Sequence, residues 1–248
     1  RRIVDHIADV NTCYSEHARR DLNAEGTAKE RTFVTGSPMA EVLHANLEKI
    51  EASDILGRLG LEPQKYMLLS AHREENIDTE KNFLSLFTSI NHLAETYDMP
   101  ILYSCHPRSR KRLEAMNFRL DERVKLHEPL GFHDYNNLQM NAFCVVSDSG
   151  TLPEESSFFL SVGHPFPAVC IRTSTERPEA LDKGCFVLAG IAEGGVEQAV
   201  ATAVAMRENS DDGIPVPYYI EDVSNKVVKI IQSYTGVVNK MVWRKEGL

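Results

Sequence analysis

The stretch "AFCVVSDSGTLPEESSFFLSV", residues 142 to 162, decides the fold. It opens on an apolar run, turns at Ser149 and Gly150, and continues as a helical pattern. An apolar strand feeding a helix through a tight Ser-Gly turn is half of a strand–helix–strand unit. Such a turn lets backbone N–H groups approach an anion at a helix N-terminus. Yet Glu154 and Glu155 sit in the helix's first turn. The ligand must therefore want both an anion cradle and a carboxylate.

Outward from this stretch the same pattern recurs. "YMLLSA" (66–71) precedes "DTEKNFLSLFTSINHLAETY", where Phe83, Leu86, Phe87, Ile90 and Leu93 share one helical face. "PILYSCH" (100–106) leads into "PRSRKRLEAM", and "RVKLHEP" (123–129) into "HDYNNLQMNA". "PAVCIRT" (167–173) precedes "RPEALDKG", and "CFVLAG" (185–190) precedes "GGVEQAVATAVAM". Six strand–helix units with strands apolar throughout predict a Rossmann-like, doubly wound parallel sheet of the α/β class. Ligands then bind at the carboxyl ends of the strands. The ends of the chain differ. Residues 1–36 read as one amphipathic stretch, a short "RTFV" strand and the turn "TGSP". "DDGIPVPYY" reads as a hinge, followed by the helix "VSNKVVKIIQSYTGVVNKMVW".

Bulk properties narrow the function. The 248 residues are 42% hydrophobic and 25% charged, as in a soluble globular protein. A net charge of -9 argues against duplex nucleic acid or an anionic membrane as the main partner. No apolar run approaches the about 18 residues of a membrane span. Cys13, Cys105, Cys144, Cys170 and Cys185 lack metal-type spacing and read as reduced core thiols of a cytoplasmic protein. "RRIVDHIADV" is broken by Asp5, His6 and Asp9, so it is no signal peptide. The absence of an initiating Met reads as a processed product or a fragment.

Four chemistry-bearing segments fall on the predicted ligand rim: "HREEN" (72–76), His106 with "PRSR" (107–110), "DSGTLPEE" (148–155) and "TSTERPE" (173–179). Each has a purely structural reading. A histidine at a strand end can serve the fold alone, and "RSRKR" can be a solvated helix face. Pro178 suits a first helical position, and Ser149 or Thr151 can cap a helix. Their coincidence on one edge favours a binding site. Ser149 is not read as a nucleophile, because "SDSGT" lacks the G-x-S-x-G elbow. There is no GxxxxGK[ST] and no GxGxxG after a strand, and "GIAEGG" (190–195) has the wrong glycine spacing. No His, Cys and carboxylate set has metal-ligand spacing, so no metal is expected.

"SAHREEN", "CHPRSR", "GFHDYNNLQ", "SDSGTLPEESS" and "RTSTERPEAL" together resemble the consecutive signatures of the non-hydrolysing UDP-N-acetylglucosamine 2-epimerase family. The resemblance implies a glycosyltransferase-B-like architecture of two Rossmann-like domains. Residues 37–217 would be its C-terminal, UDP-binding domain. Residues 1–36 would be a remnant of the N-terminal domain and hinge, and 218–248 a helix crossing back to that domain. It further implies inversion at C2 of a UDP-2-acetamido sugar by elimination and re-addition of UDP, with no cofactor, in bacterial capsule or O-antigen precursor synthesis. Ser149, Gly150 and the following amides would hold the diphosphate. Glu155 would accept from the ribose hydroxyls, and Phe132 or Tyr135 would flank the uracil. His72, Arg177 and Arg1 would act at the leaving phosphate and reacting sugar.

Family members activated by their own substrate use an arginine-rich version of "HREE" and a histidine, which implies a candidate activator site at Arg73, Glu75 and His106. Glu74 stands where those members carry an arginine, which sets that activation in question. "IVDHIADVN" and the "SYTGVVNKMVWRK" tail resemble the subgroup acting on UDP-2-acetamido-2,6-dideoxy-L-talose. Several family carboxylates belong to the N-terminal domain, so this chain is expected to bind UDP weakly and not to turn over alone. The resemblance also implies a homodimer. The alternatives are a glycosyltransferase of the same architecture and an inactive UDP-binding module.

Overall fold

The computed structural model describes residues 2–73, 79–192, 194–218 and 222–245. Its contacts divide the chain into two compact units, residues 46–215 and residues 1–45 with 216–248.

In the larger unit the apolar runs form strands because their side chains find cover on both sides. The strands are β3 (Met67–Ser70), β4 (Ile101–Ser104), β5 (Val124–His127), β6 (Cys144–Ser147), β7 (Ala168–Cys170) and β8 (Val187–Leu188). All pair in parallel, in the order β5-β4-β3-β6-β7-β8. Counted from β3 this is the Rossmann order 3-2-1-4-5-6, which reverses between β3 and β6.

Alternate strand residues face opposite layers. Met67, Leu69, Ile101, Tyr103, Cys144, Val146 and Val169 pack with α5 (Glu80–Tyr97) and α10 (Gly195–Glu208). Phe83, Leu86, Phe87, Ile90 and Leu93 of α5 are buried, as their spacing predicts. Each such side chain is worth about 1.5–3 kcal/mol against exposure. Leu68, Val145 and Cys170 alternate with them and are also buried. Beyond the strands, α7 (Phe132–Asn141) and α8 (Leu152–Ser161) contribute buried Leu138, Phe158 and Phe159. The helix α6 (Pro107–Ala115) follows β4, and the short α9 (Pro178–Asp182) follows β7. The edge strand β5 corrects one expectation. Only Val124 is buried in it, while Lys125 and Leu126 are exposed, so it is not apolar throughout.

Residues 1–36 need a second correction. In place of one amphipathic stretch there are α1 (Arg2–Ile7), β1 (Asn11–Cys13) and α2 (Glu16–Ala24), before β2 (Thr32–Val34). β1 and β2 pair in parallel, Asn11 opposite Thr32. With three residues and one buried side chain, Cys13, β1 is too short and polar to read as an apolar run. In the same unit α11 (Val223–Met241) lays Tyr234 edge-on against Phe33 at 4.8 Å, and Trp243 Nε1 donates to Asp9 Oδ2 at 2.9 Å. The helix α3 (Pro38–Glu51) starts at the proline that ends "TGSP", and α4 (Ile55–Leu59) follows it. The five cysteines are free and buried. Among the described residues no helix is long and apolar enough to cross a membrane.

Candidate functional site

The reversal between β3 and β6 opens a crevice at their carboxyl ends, where Ser70 and Ser147 are register partners. The first residues beyond these strands are stapled to one another. The Asp148 backbone N–H donates to the Ser70 carbonyl at 3.0 Å. Asp148 Oδ2 accepts from the backbone N–H groups of His72 and Arg73, at 2.9 and 2.8 Å. Arg73 Nε donates to the Asp148 carbonyl at 2.9 Å. Asp148 Oδ1 faces His72 Nδ1 at 3.2 Å, with the carboxylate fully buried and the imidazole 49% exposed.

The turn after Asp148 is a chain of hydroxyls. Ser149 N–H donates to Ser147 Oγ at 3.0 Å, and the Ser149 and Thr151 hydroxyls are 2.8 Å apart. Thr151 Oγ1 donates to Glu155 Oε1 at 2.6 Å, and Gln139 Nε2 donates to Glu155 Oε2 at 2.8 Å. Burial pushes the Glu155 carboxyl above the usual carboxylate range, against the pull of these two donors. Each ionised oxygen retains a second lone pair, so Glu155 can still accept from a ligand hydroxyl. Tyr135 belongs to the same cluster, beside Ser70 and Ser147, and burial holds its phenol well above its ordinary value.

Gly150 is the point on which positive charge converges. A Cβ there would lie 3.5 Å from both Arg172 Nη1 and Arg73 Nη2. Arg172 leaves the end of β7 and is buried, and it grips Glu176 through both terminal nitrogens at 2.8 and 2.9 Å. Two guanidinium groups thus flank the N-terminus of α8, whose dipole adds to them. The arrangement offers the donors an anion needs, with a carboxylate one helical turn beyond them. Arg177 lies along its flank, donating through Nε to buried Glu154 at 2.7 Å and through Nη1 to the Glu176 carbonyl at 2.9 Å.

The structure therefore gathers His72, Arg73, Ser149, Gly150, Tyr135 and Glu155 into one network, with Arg177 beside it. Phe132, in the first turn of α7, is 38% exposed and meets the His133 ring edge-on at 5.6 Å. His106 is engaged locally, capping α6 by accepting at Nδ1 from Arg108 N–H at 3.3 Å. Arg1, Glu74 and Glu75 lie outside the described residues. Sequence reasoning missed Asp148, Arg172 and Gln139. Reading the strand as running to residue 173 hid Arg172 inside it, whereas β7 ends at Cys170. Among the described residues no cluster of His, Cys, Asp or Glu could hold a metal ion.

Residues 1–232 match the family model described as UDP-N-acetylglucosamine 2-epimerase. The chain is 30% identical over 197 residues to the UDP-N-acetylglucosamine 2-epimerase of Methanocaldococcus jannaschii, covering 77% of this chain and 52% of that protein. It superposes on the UDP-N-acetylglucosamine 2-epimerase of Rickettsia bellii with a TM-score of 0.85 at 42% identity, covering 99% of this chain and 65% of that one. A second solved structure, the M. jannaschii UDP-GlcNAc 2-epimerase in complex with UDP-GlcNAc and UDP, gives 0.80 at 27% identity, covering 94% and 63%. The chain spans about half the length of the curated relatives it matches.

Proposed function

Because the chain belongs to the UDP-N-acetylglucosamine 2-epimerase family, we propose that its site binds the UDP end of a UDP-2-acetamido sugar during inversion at C2. The observation that carries this is the convergence of Arg73 and Arg172 on Gly150, one helical turn from the buried Glu155. The diphosphate lies on the turn 149–151 at the helix N-terminus, between the two guanidinium groups. Glu155 accepts from the ribose hydroxyls, and "GFHDY" supplies the uracil side. His72 stands by the leaving phosphate and Arg177 by the sugar.

In this reading a base takes the C2 proton as the C1–O bond to UDP breaks, and the electron pair forms the C1=C2 double bond of a glycal. Protonation of C2 on the opposite face and return of the phosphate oxygen to C1 complete the inversion. The residues assigned here bind and stabilise departing UDP, the part of the reaction where negative charge develops. They do not include the groups that move the C2 proton.

The test uses the protein as its gene encodes it, with UDP-N-acetylglucosamine or its 6-deoxy-L-talo analogue in deuterated water. Loss of the C2 proton signal from a single UDP-sugar is the expected result. Retention of that proton, with sugar transferred to an added acceptor, would identify a transferase instead.

A further inference from the structure

We propose that Asp148 is a positioning residue that fixes the tautomer and direction of the His72 ring, leaving Nε2 as the nitrogen presented to the ligand. The role in the reaction rests on the UDP reading above, whereas the 3.2 Å approach of the ring to the carboxylate stands on the structure alone. Asp148 is fully buried at the end of β6, and its two oxygens are divided between two tasks. Oδ2 takes the adjacent backbone N–H groups of residues 72 and 73. That bond pair orients the carboxylate and leaves Oδ1 at ion-pair distance from His72 Nδ1, 3.2 Å, with no hydrogen bond formed at that oxygen in this geometry. A carboxylate only accepts, so the hydrogen bond that would satisfy this buried oxygen requires the proton on Nδ1, turned toward Oδ1.

Positive charge and neutral groups surround Asp148. Arg73 donates to its carbonyl, and Arg172 lies across Gly150. The neighbouring Tyr103, Tyr135 and Cys170 are held protonated by burial. The half-exposed ring of His72 then turns Nε2 outward. When doubly protonated it donates Nε2–H to the phosphate oxygen that gains charge as the C1–O bond breaks, and Asp148 stabilises the cationic ring.

The Asp148→Asn variant separates this from a merely structural role. Its amide oxygen must take the place of Oδ2 to satisfy the two backbone donors, which points the NH2 group at Nδ1. Nδ1 must then accept, and the proton moves to Nε2. The readout is long-range proton–nitrogen NMR of 15N-histidine-labelled protein above about pH 8, where imidazoles are neutral. The wild type is expected to place the unprotonated-nitrogen signal at His72 Nε2, and Asp148→Asn to move it to Nδ1. A wild-type ring protonated on Nε2 overturns the proposal, whether or not the variant folds. So does a folded variant whose tautomer is unchanged. UDP titrated into the same wild-type sample tests the ligand reading separately. Shifts at His72 Nε2 and at the amides of Ser149 and Gly150 support its role toward phosphate. Shifts at the amides without any at Nε2 overturn that role, and no shift anywhere overturns the UDP reading itself.

Discussion

Two opposing effects meet at Glu155. Burial raises its pKa, while Thr151 and Gln139 stabilise its charged form from either side. A folded-state value above the ordinary 4.5 means that the folded chain holds this proton more tightly than the unfolded chain. Its contribution to stability is thus present below pH 4.5 and is lost as pH rises through the raised value. Wherever the carboxyl is ionised, its buried charge is held at some expense of stability. Glu155→Gln is therefore expected to leave the Tm at pH 7.5 unchanged or higher. It should weaken UDP binding about tenfold or more, since a hydrogen bond to a charged group is worth about 1.5–3 kcal/mol. Calorimetry on the two proteins, with melting curves at pH 4.5 and 7.5, checks both parts. At this scale the sequence was least legible. The types Ser149, Gly150 and Glu155 could be read from their place after an apolar run. The convergence of Arg73 and Arg172 could not, because it brings together the ends of two strands that are not neighbours in the sheet.

Among the elements, the regular periodicities carried the most information. The helix α5 was legible because Phe83, Phe87 and Ile90 repeat at helical spacing and all end buried. Strands β3, β4 and β6 were legible because both faces are covered, which leaves unbroken apolar runs. β1 lacks that double cover and lacked the signal, whereas the edge strand β5 was legible as a strand although only Val124 in it is buried. The loop before α11 shows a different kind of constraint. Gly213 has φ +84, and a Cβ there would lie 2.5 Å from the Lys183 carbonyl oxygen and 2.6 Å from the Gly184 carbonyl carbon. Gly213→Ala combines a left-handed conformation with a backbone clash and should cost about 2 kcal/mol or more. In a chain of this size the Tm falls by about 4–8 °C as a result. Thermal denaturation measures it, with UDP affinity of the folded fraction unchanged because the residues it meets, Lys183 and Gly184, are not among those around Gly150.

For the whole molecule, charge and binding run in opposite directions. The chain carries a net -9, yet the proposed ligand is itself an anion. Binding of such a ligand needs a local arrangement strong enough to oppose the global field, and the proposed function assigns that task to the guanidinium pair at the N-terminus of α8. The same contrast explains why composition spoke against nucleic acid but was silent about UDP. The central claim is that the space above Gly150 is where the diphosphate lies. Gly150→Ala tests it directly, because the added methyl makes only ordinary 3.5 Å contacts with Arg172 and Arg73 while occupying the position of the anion. The measurement is UDP affinity by isothermal titration calorimetry, beside the melting temperature, for wild type and variant. The account predicts a loss of at least about tenfold in affinity, equivalent to about 1.4 kcal/mol, with the Tm nearly unchanged. A variant that binds UDP as tightly as the wild type would contradict it.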